Sequence, residues 1–244
     1  MPTVEGAGVA LHYAEQGDGS PVLLIHGLAS DAETLAPVAA EVARGGARAI
    51  AYDRRGYGAS GAPEPYHGTT VEEQTEDAAA LLRGLGAAPV VAAGDGFGAV
   101  VALDLAKRHG DLVSAVVVSD PALYALVPEA TEVLSEQRAE IEAALRAGGP
   151  PAGVEAWLGG RVSGAALARA RAAPRGFFAD YAGMSTWATS RRELRALALP
   201  AVVLTGPSSP PYIVAAADAL AALLPQVTRA TDGDLAAAVR ALLP

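Results

Sequence analysis

A glycine-rich turn separates two apolar runs in the middle of the chain and carries a carboxylate. Residues 90–100 read VVAAGDGFGAV, with Asp95 beside Gly96 in the turn. A partly buried carboxylate in such a turn can have a raised pKa and serve in acid–base chemistry. The structural alternative is that Asp95 only hydrogen-bonds neighbouring backbone, as an aspartate in a glycine turn often does.

A second carboxylate, Asp120, follows the next apolar run, LVSAVVVSD (112–120). It is the second candidate catalytic residue, and a simple turn at Asp120-Pro121 is the structural alternative. Other groups expected near the same pocket can also transfer protons. These are Tyr124, Ser208, Ser209 and Asp232.

These residues must be positioned by an alternation of short apolar runs and helix-like segments. The predicted strands are 21–27, 47–53, 88–94, 112–120 and 200–206, and the predicted helices of the first half are 35–46, 70–86 and 97–110. Thr70 and Glu73 have the spacing of a capping box, and Gly110 is the predicted helix stop. The alternation predicts repeated βα units and a mostly parallel sheet.

Between the two halves of this pattern the sequence changes to helix after helix. We predict an α/β core formed by residues 1–121 and 196–244, with residues 122–195 inserted as a helical cap. The cap is richer in aromatic residues than the Ala- and Val-rich strands. Most of these rings are expected to pack within the cap, and the rest to face a large apolar pocket.

Composition narrows the range of functions. The formal net charge of -9 disfavours nucleic acid as a partner, because binding phosphates needs a basic patch. The absence of cysteine removes disulfides, thiolate nucleophiles and Cys-ligated metal sites. No apolar run is long enough to span a bilayer and the start lacks a signal-peptide pattern, so we predict a cytoplasmic protein without a membrane partner. We expect no metal and no cofactor, and a monomer or homodimer.

Four features in order resemble the α/β-hydrolase fold family over nearly the whole chain. They are His26-Gly27-Leu28 after a strand, YDRRGYGAS (52–60), GDGFGA (94–99), and the helical insertion before the last strands. In that family a GxSxG turn presents the nucleophile between strand and helix. Aligning Gly94 and Gly98 with the motif glycines implies that Gly96 stands at the nucleophile position. Shifting the alignment to make Asp95 the nucleophile would put Phe97 where a small residue is required.

The resemblance also implies that the other two members of a Ser-His-Asp triad are absent. Ser209 stands where the acid is expected, in the segment after the strand 200–206, and the loop RATDGDLAAAV lacks the histidine. Glycine suits a strained turn because it has no Cβ. The histidines of the chain are His12, His26, His67 and His109, and we expect all but His26 at the surface.

Part of the family's machinery needs no catalytic side chain. The resemblance implies an oxyanion hole made by the backbone N–H groups of Leu28 and Phe97. Asp53, Arg54 and Arg55 are interpreted as an ion network that fixes a loop. The predicted substrate-binding residues are His26, Gly96, Tyr124, Trp157, Tyr181, Trp187 and Ser209, although a structural role for His26 is the competing interpretation.

An oxyanion hole without a triad retains only roughly 10³- to 10⁴-fold acceleration over water. We therefore expect a non-hydrolytic, cofactor-independent enzyme acting on a hydrophobic carbonyl compound, such as a cyclase, dehydratase, isomerase or cycloaddition catalyst of natural-product biosynthesis. One alternative is a catalytically inactive ligand-binding protein. The other is a hydrolase in which Asp95 or Asp120 activates water.

Overall fold

The computed structural model describes residues 2–244 and is built around an eight-stranded sheet. The strands are β1 (Thr3–Glu5), β2 (Ala10–Gln16), β3 (Ser20–Ile25), β4 (Ala47–Tyr52), β5 (Val90–Asp95), β6 (Val113–Ser119), β7 (Ala201–Leu204) and β8 (Val227–Ala230). Their order across the sheet is β1-β2-β4-β3-β5-β6-β7-β8. Only β1 and β2 pair antiparallel with their neighbours, so the sheet is mostly parallel, as predicted.

Both faces of the sheet are covered, because the strand side chains alternate between two apolar clusters. Leu23 and Ile25 of β3 face the larger cluster, whereas Val22 and Leu24 face the smaller one. The helices of the core are α1 (Ala36–Arg44), α2 (Val71–Leu85), α3 (Phe97–Arg108), α9 (Pro211–Ala221) and α10 (Leu235–Arg240). α2, α3 and α9 cover the first face, and α1 and α10 cover the second.

The local signals at helix ends hold at α2 and fail at α3. Thr70 and Glu73 form the predicted capping box, with reciprocal side-chain and backbone hydrogen bonds. The predicted stop at Gly110 is wrong, since α3 ends at Arg108 with His109 as its C-cap. Gly110 instead begins a short 3-10 turn that leads into β6.

Five helices lie between β6 and β7, within the segment predicted as an inserted cap. They are α4 (Thr131–Gly148), α5 (Pro150–Leu158), α6 (Gly164–Ala172), α7 (Pro174–Gly183) and α8 (Arg191–Arg195), and we call them, with their connections, the cap. Its division from the core as a separate domain stays a prediction. Among the described residues, no helix combines the length and apolar character needed to cross a membrane.

The cap contacts the core through polar side chains as well as apolar ones. A buried ion pair joins Asp180 of α7 to Arg54, with 2.6 Å between Nη2 and Oδ2. Trp187, which precedes α8, donates its indole N–H to Asp104 of α3 over 2.7 Å. These contacts fix the cap over the carboxyl ends of the parallel strands, where the candidate catalytic residues lie.

Candidate functional site

The turn between β5 and α3 consists of Gly96 alone, and we call this turn with its flanking residues, 94–98, the elbow. Its backbone has φ 54° and ψ -111°, a conformation that most side chains disfavour. A Cβ on Gly94 would collide with the carbonyl oxygen of Gly98, and a Cβ on Gly98 would collide with that of Ile25. The two flanking glycines are therefore required by close backbone crossing, and Gly96, not Asp95, stands at the tip.

Space for a side chain exists at the tip itself. The nearest heavy atom to an ideal Cβ on Gly96 is the Gly27 Cα, at 3.9 Å. The positive φ, and not crowding, is what favours glycine here.

Asp95 lies at the partly exposed end of β5, beside the loop that follows β3. Its Oδ1 accepts a hydrogen bond from the Ser119 hydroxyl at 3.0 Å. Its Oδ2 lies 3.3 Å from where a Cβ on Gly27 would be, so the carboxylate faces that loop. Burial, followed by the charge of Asp120, raises the pKa of Asp95 to about 6. A carboxyl group with this pKa can both accept and return a proton near neutral pH.

Asp120 follows β6 and is held in an unusual backbone conformation, with φ 42°. Its N–H donates to the Leu204 carbonyl at 3.0 Å. Its Oδ1 accepts a hydrogen bond from the Ser209 hydroxyl at 2.6 Å, and the Ser209 Oγ accepts one from the Gly206 N–H at 2.8 Å. The structure thus brings Asp95, Asp120 and Ser209 together in one polar group at the carboxyl ends of β5, β6 and β7. Their catalytic and binding roles remain predictions.

The N–H groups of Leu28 and Phe97 are the predicted oxyanion hole. Within residues 2–244 neither N–H has a hydrogen-bond acceptor in the protein. Phe97 is the first residue of α3, where the helix dipole favours negative charge. Leu28 directly follows Gly27, the residue that Asp95 faces. Both amides therefore lie on segments adjoining the Asp95 carboxylate.

His26 is fully buried beneath this loop, with both ring nitrogens engaged. Nδ1 lies 2.8 Å from the Gly27 carbonyl oxygen, and Nε2 accepts a hydrogen bond from the Arg54 N–H at 3.0 Å. Burial and then the charge of Arg54 hold the pKa of His26 well below its usual value. The prediction of a substrate contact for His26 does not fit this position, which agrees with the structural interpretation.

The other histidines lie away from the elbow. His12 was expected at the surface but is buried, with Nδ1 2.9 Å from Asp53 Oδ2. His109 pairs with Glu76 at 2.9 Å, and His67 is exposed. In the described part of the chain, none of these imidazoles hydrogen-bonds to Asp95, Asp120 or Ser209.

The remaining candidates for proton transfer are less suited to it. Ser208 and Asp232 are exposed, and Asp232 Oδ1 accepts the Asp234 N–H at 3.1 Å. Burial and then the neighbouring Tyr212 raise the pKa of Tyr124, which keeps its proton near neutral pH.

A cavity of about 670 Å³ lies between the cap and the core. Tyr124, Tyr181 and Trp187, all predicted substrate-binding residues, line it. Trp157, Ser209, His26 and Gly96 are not among its lining residues; Trp157 packs against Phe177 within the cap, with 5.6 Å between ring centroids. The cavity adjoins the elbow at Ala122, whose N–H donates to the Gly96 carbonyl at 3.3 Å.

Sequence reasoning missed the buried cluster around Asp180. Arg54 donates from Nε to the His26 carbonyl at 2.9 Å and from Nη2 to the Gly27 carbonyl at 3.0 Å. Arg54 thus fixes the loop, as predicted, but its counterion comes from the cap. No local motif marks Asp180, which is 126 residues away in sequence.

The fold and elbow correspond to a known family. A family model described as "Serine aminopeptidase, S33" matches residues 19–149, which is more than half of the chain. The chain belongs to this family. The matched stretch includes the elbow, where this member of the S33 family carries Gly96 at the tip.

Relatives of this S33 family member are named as hydrolases. It is 34% identical over 125 residues to the "Uncharacterized hydrolase YraK" of Bacillus subtilis (strain 168), covering 51% of this chain and 46% of the relative. It is 36% identical over 123 residues to "Epoxide hydrolase A" of Mycobacterium tuberculosis (strain ATCC 25618 / H37Rv), covering 49% of this chain and 38% of the relative. The chain thus spans less than half the length of each of these two relatives.

A solved structure extends the similarity to nearly the whole S33 family member. The crystal structure of an alpha/beta hydrolase from Sphaerobacter thermophilus DSM 20745 has 26% sequence identity and a TM-score of 0.75. The match covers 94% of this chain and 91% of that one. Together with the family match, it confirms the predicted α/β-hydrolase fold.

Proposed function

We propose that this chain is a hydrolase in which water, activated by Asp95, replaces a serine as the nucleophile and attacks an ester or lactone with a good leaving group. The observation that carries the proposal is the Asp95 carboxyl, with a pKa of about 6, facing the loop that presents the Leu28 amide. The hydrolase names of the relatives favour hydrolysis over the cyclase, dehydratase or isomerase activity expected from the sequence.

We propose that the reaction does without a Ser-His-Asp relay. Gly96 supplies no nucleophile at the elbow tip, and the Ser209 hydroxyl is bound to Asp120. His26 is occupied by backbone groups on both ring nitrogens. Water therefore takes the role of the nucleophile, with a carboxylate as its base.

Asp95 is the only ionisable group that the proposed hydrolysis requires. The Asp95 carboxylate takes a proton from water while the water oxygen bonds to the acyl carbon. The N–H groups of Leu28 and Phe97 stabilise the oxyanion that forms. When the acyl–oxygen bond breaks, the Asp95 carboxylic acid returns the proton to the leaving oxygen, which restores the carboxylate.

The size of these effects limits the substrate. Each oxyanion donor contributes about 10²- to 10³-fold, and a general base contributes about 10²- to 10⁴-fold. Without a covalent intermediate, this is too little for amides or simple alkyl esters. We therefore expect a leaving group that departs easily, such as an enol or a phenol, on an otherwise hydrophobic substrate.

The test compares the protein with its Asp95→Asn variant on aryl and enol esters. We expect the variant to lose about 10²- to 10⁴-fold in kcat with little change in KM. The kcat/KM of the unmodified protein should rise through about pH 6, because the base acts only when ionised, and this rise should vanish in the variant. Asp218→Asn, at an exposed carboxylate of α9, is the matched control and should keep full activity.

Isotope labelling tests for a covalent acyl-aspartate whose anhydride is hydrolysed at the aspartyl carbonyl. A single turnover in H₂¹⁸O should place one ¹⁸O in the product acid. Transfer of unlabelled oxygen from the enzyme to the first product would overturn the proposal, as would full activity of Asp95→Asn. Binding of the esters without any turnover would instead support the ligand-binding alternative.

A further inference from the structure

The cavity beneath the cap is separate from the residues assigned to hydrolysis. Its lining includes none of Asp95, Leu28 and Phe97. It extends from Ala122 and the following segment to α4, α7 and α8 of the cap, and its volume of about 670 Å³ is within the range of small-molecule sites. A ligand in this cavity therefore need not contact the residues proposed to carry out hydrolysis.

The walls of this cavity are largely apolar. Val100 of α3 contributes from the core, Leu123 from the segment between β6 and α4, and Leu134, Met184 and Trp187 from the cap. The Trp187 ring is held in place by its hydrogen bond to Asp104. Walls of this kind suit an alkyl chain, since its burial removes apolar surface from water.

The charged residues of the lining have one sign. Arg138 and Arg191 line the cavity without any Asp or Glu, although the whole chain has 27 acidic and 18 basic residues. In the described structure, Arg191 has no carboxylate within 4 Å, and Arg138 has only the exposed Glu142 on its own helix. Arg191 thus carries a positive charge without a counterion among the described residues at the cavity, whereas Glu142 partly offsets the charge of Arg138.

One polar atom of the lining also lacks a partner. The Thr189 Oγ1 is buried from solvent and makes no hydrogen bond to the described residues. A buried hydroxyl without a partner is costly, so a ligand oxygen beside it would be stabilising.

We propose that this cavity binds a single-chain amphiphile that carries one negative charge. The alkyl chain lies between Val100, Leu134 and Trp187, and the anionic head group pairs with Arg191 and Arg138. Thr189 offers a neutral hydrogen bond between these two regions. The site does not depend on Asp95.

The test measures binding of three ten-carbon probes at pH 8: decanoate, decanol and decyltrimethylammonium. Trp157 and Trp187 are the two tryptophans of the chain, so a Trp157→Phe background leaves Trp187 as the reporter inside the cavity. Decanoate should change Trp187 fluorescence and bind most tightly, and decyltrimethylammonium should bind most weakly. Calorimetry supplies the affinities without the reporter.

Two variants test whether the probes bind in this cavity and whether its positive charge contributes to the affinity. Arg191→Gln should weaken decanoate binding about twofold to fivefold and leave decanol binding unchanged. Arg146→Gln is the matched control, because Arg146 is an exposed arginine of α4 outside the lining. Ala125→Phe, at an exposed position of the lining, should block all three probes by about tenfold or more while the circular dichroism spectrum stays unchanged.

The outcomes separate this proposal from the hydrolase proposal. Asp95→Asn should bind decanoate with unchanged affinity whether or not it retains hydrolysis. Equal affinities for decanoate and decanol would overturn the anionic head group. Decanoate binding that survives Ala125→Phe would overturn the cavity as its site.

Discussion

The Asp180 carboxylate of the cap lies 2.6 Å from the Arg54 guanidinium of the core, and neither side chain is exposed to solvent. Tyr57 and Gln74 complete the shell of Asp180, donating hydrogen bonds at 2.9 and 3.0 Å. Burial alone would lower the pKa of Arg54, but the charge and hydrogen bond of Asp180 outweigh it and hold the pKa above its usual value. The cap therefore supplies the counterion of the arginine that fixes the loop before Leu28.

Asp180→Asn should destabilise the protein strongly, because it leaves the Arg54 charge buried without a counterion. The expected loss is about 3 to 5 kcal/mol of unfolding free energy, measured by urea denaturation. Arg175→Gln is the matched control, since it removes a cap–core pair with Glu64 that is exposed to solvent on both sides, and exposed pairs add little to stability. Equal losses for the two variants would contradict the role assigned to the buried pair.

Asp95→Asn should stabilise the protein at pH 8 and have little effect at pH 4. The pKa of Asp95 is raised from 3.8 to about 6, so the folded state binds its proton more tightly than the unfolded state does. This contribution to stability is fully present below about pH 4 and is lost as the pH rises through about 6.

The expected gain from Asp95→Asn at pH 8 is about 1 to 3 kcal/mol in urea unfolding, because asparagine carries no charge and still accepts the Ser119 hydroxyl. Asp218→Asn, at an exposed position, should show no such dependence on pH. The contrary result would be an Asp95→Asn variant that gains no stability over the unmodified protein at pH 8. It would show that burial does not disfavour the ionised form of Asp95.

The glycines of the elbow should respond differently to alanine. Gly96→Ala should cost about 1 to 3 kcal/mol, because the backbone has positive φ but the Cβ has open space. Gly98→Ala should prevent folding or shift α3, since its Cβ would meet the Ile25 carbonyl oxygen. Thermal denaturation of the two variants measures the difference, and a milder effect at residue 98 than at 96 would refute the assignment of the tip.

Gly96→Ser should not create a reactive serine. The new hydroxyl would fit the space at the tip, but in the described structure His26 is committed to Gly27 and Arg54 and no other imidazole contacts the site. Labelling by a fluorophosphonate should stay at the level of the unmodified protein, measured by intact mass with a known serine esterase as the positive control. Rapid labelling at residue 96 would mean that a base reaches the elbow.

The elbow could be predicted from sequence because the spacing of its glycines resembles a known motif and most of its constraints are local. Gly94 is required by the close approach of the Gly98 carbonyl and Gly96 favours a positive φ, both within a few residues of the turn. The constraint on Gly98 comes instead from Ile25 at the end of β3. The capping box of α2 is local in the same way. The parallel strands were predictable because buried strands appear as continuous apolar runs.

The missed features depend on residues that are distant in sequence. Asp180 meets Arg54 across 126 positions, and Trp187 meets Asp104 across 83. β1 and β8 lie at the two edges of the sheet, where short, partly exposed strands give little apolar signal. β2 lies beside β1 and is longer, but most of its residues are exposed. The burial of His12 depends on Asp53, which the sheet brings beside it. No periodicity or motif encodes such pairings.

The ion pair between Arg54 and Asp180 also affects the cooperativity of unfolding. Separation of the cap from the core would leave the buried Arg54 guanidinium without its counterion. We therefore expect α7 and the central strands to unfold in one cooperative transition. Backbone amides of α7 should then exchange with deuterium as slowly as those of β4. We expect small molecules to enter the cavity by local rearrangement of side chains, while the helices of the cap stay in contact with the core.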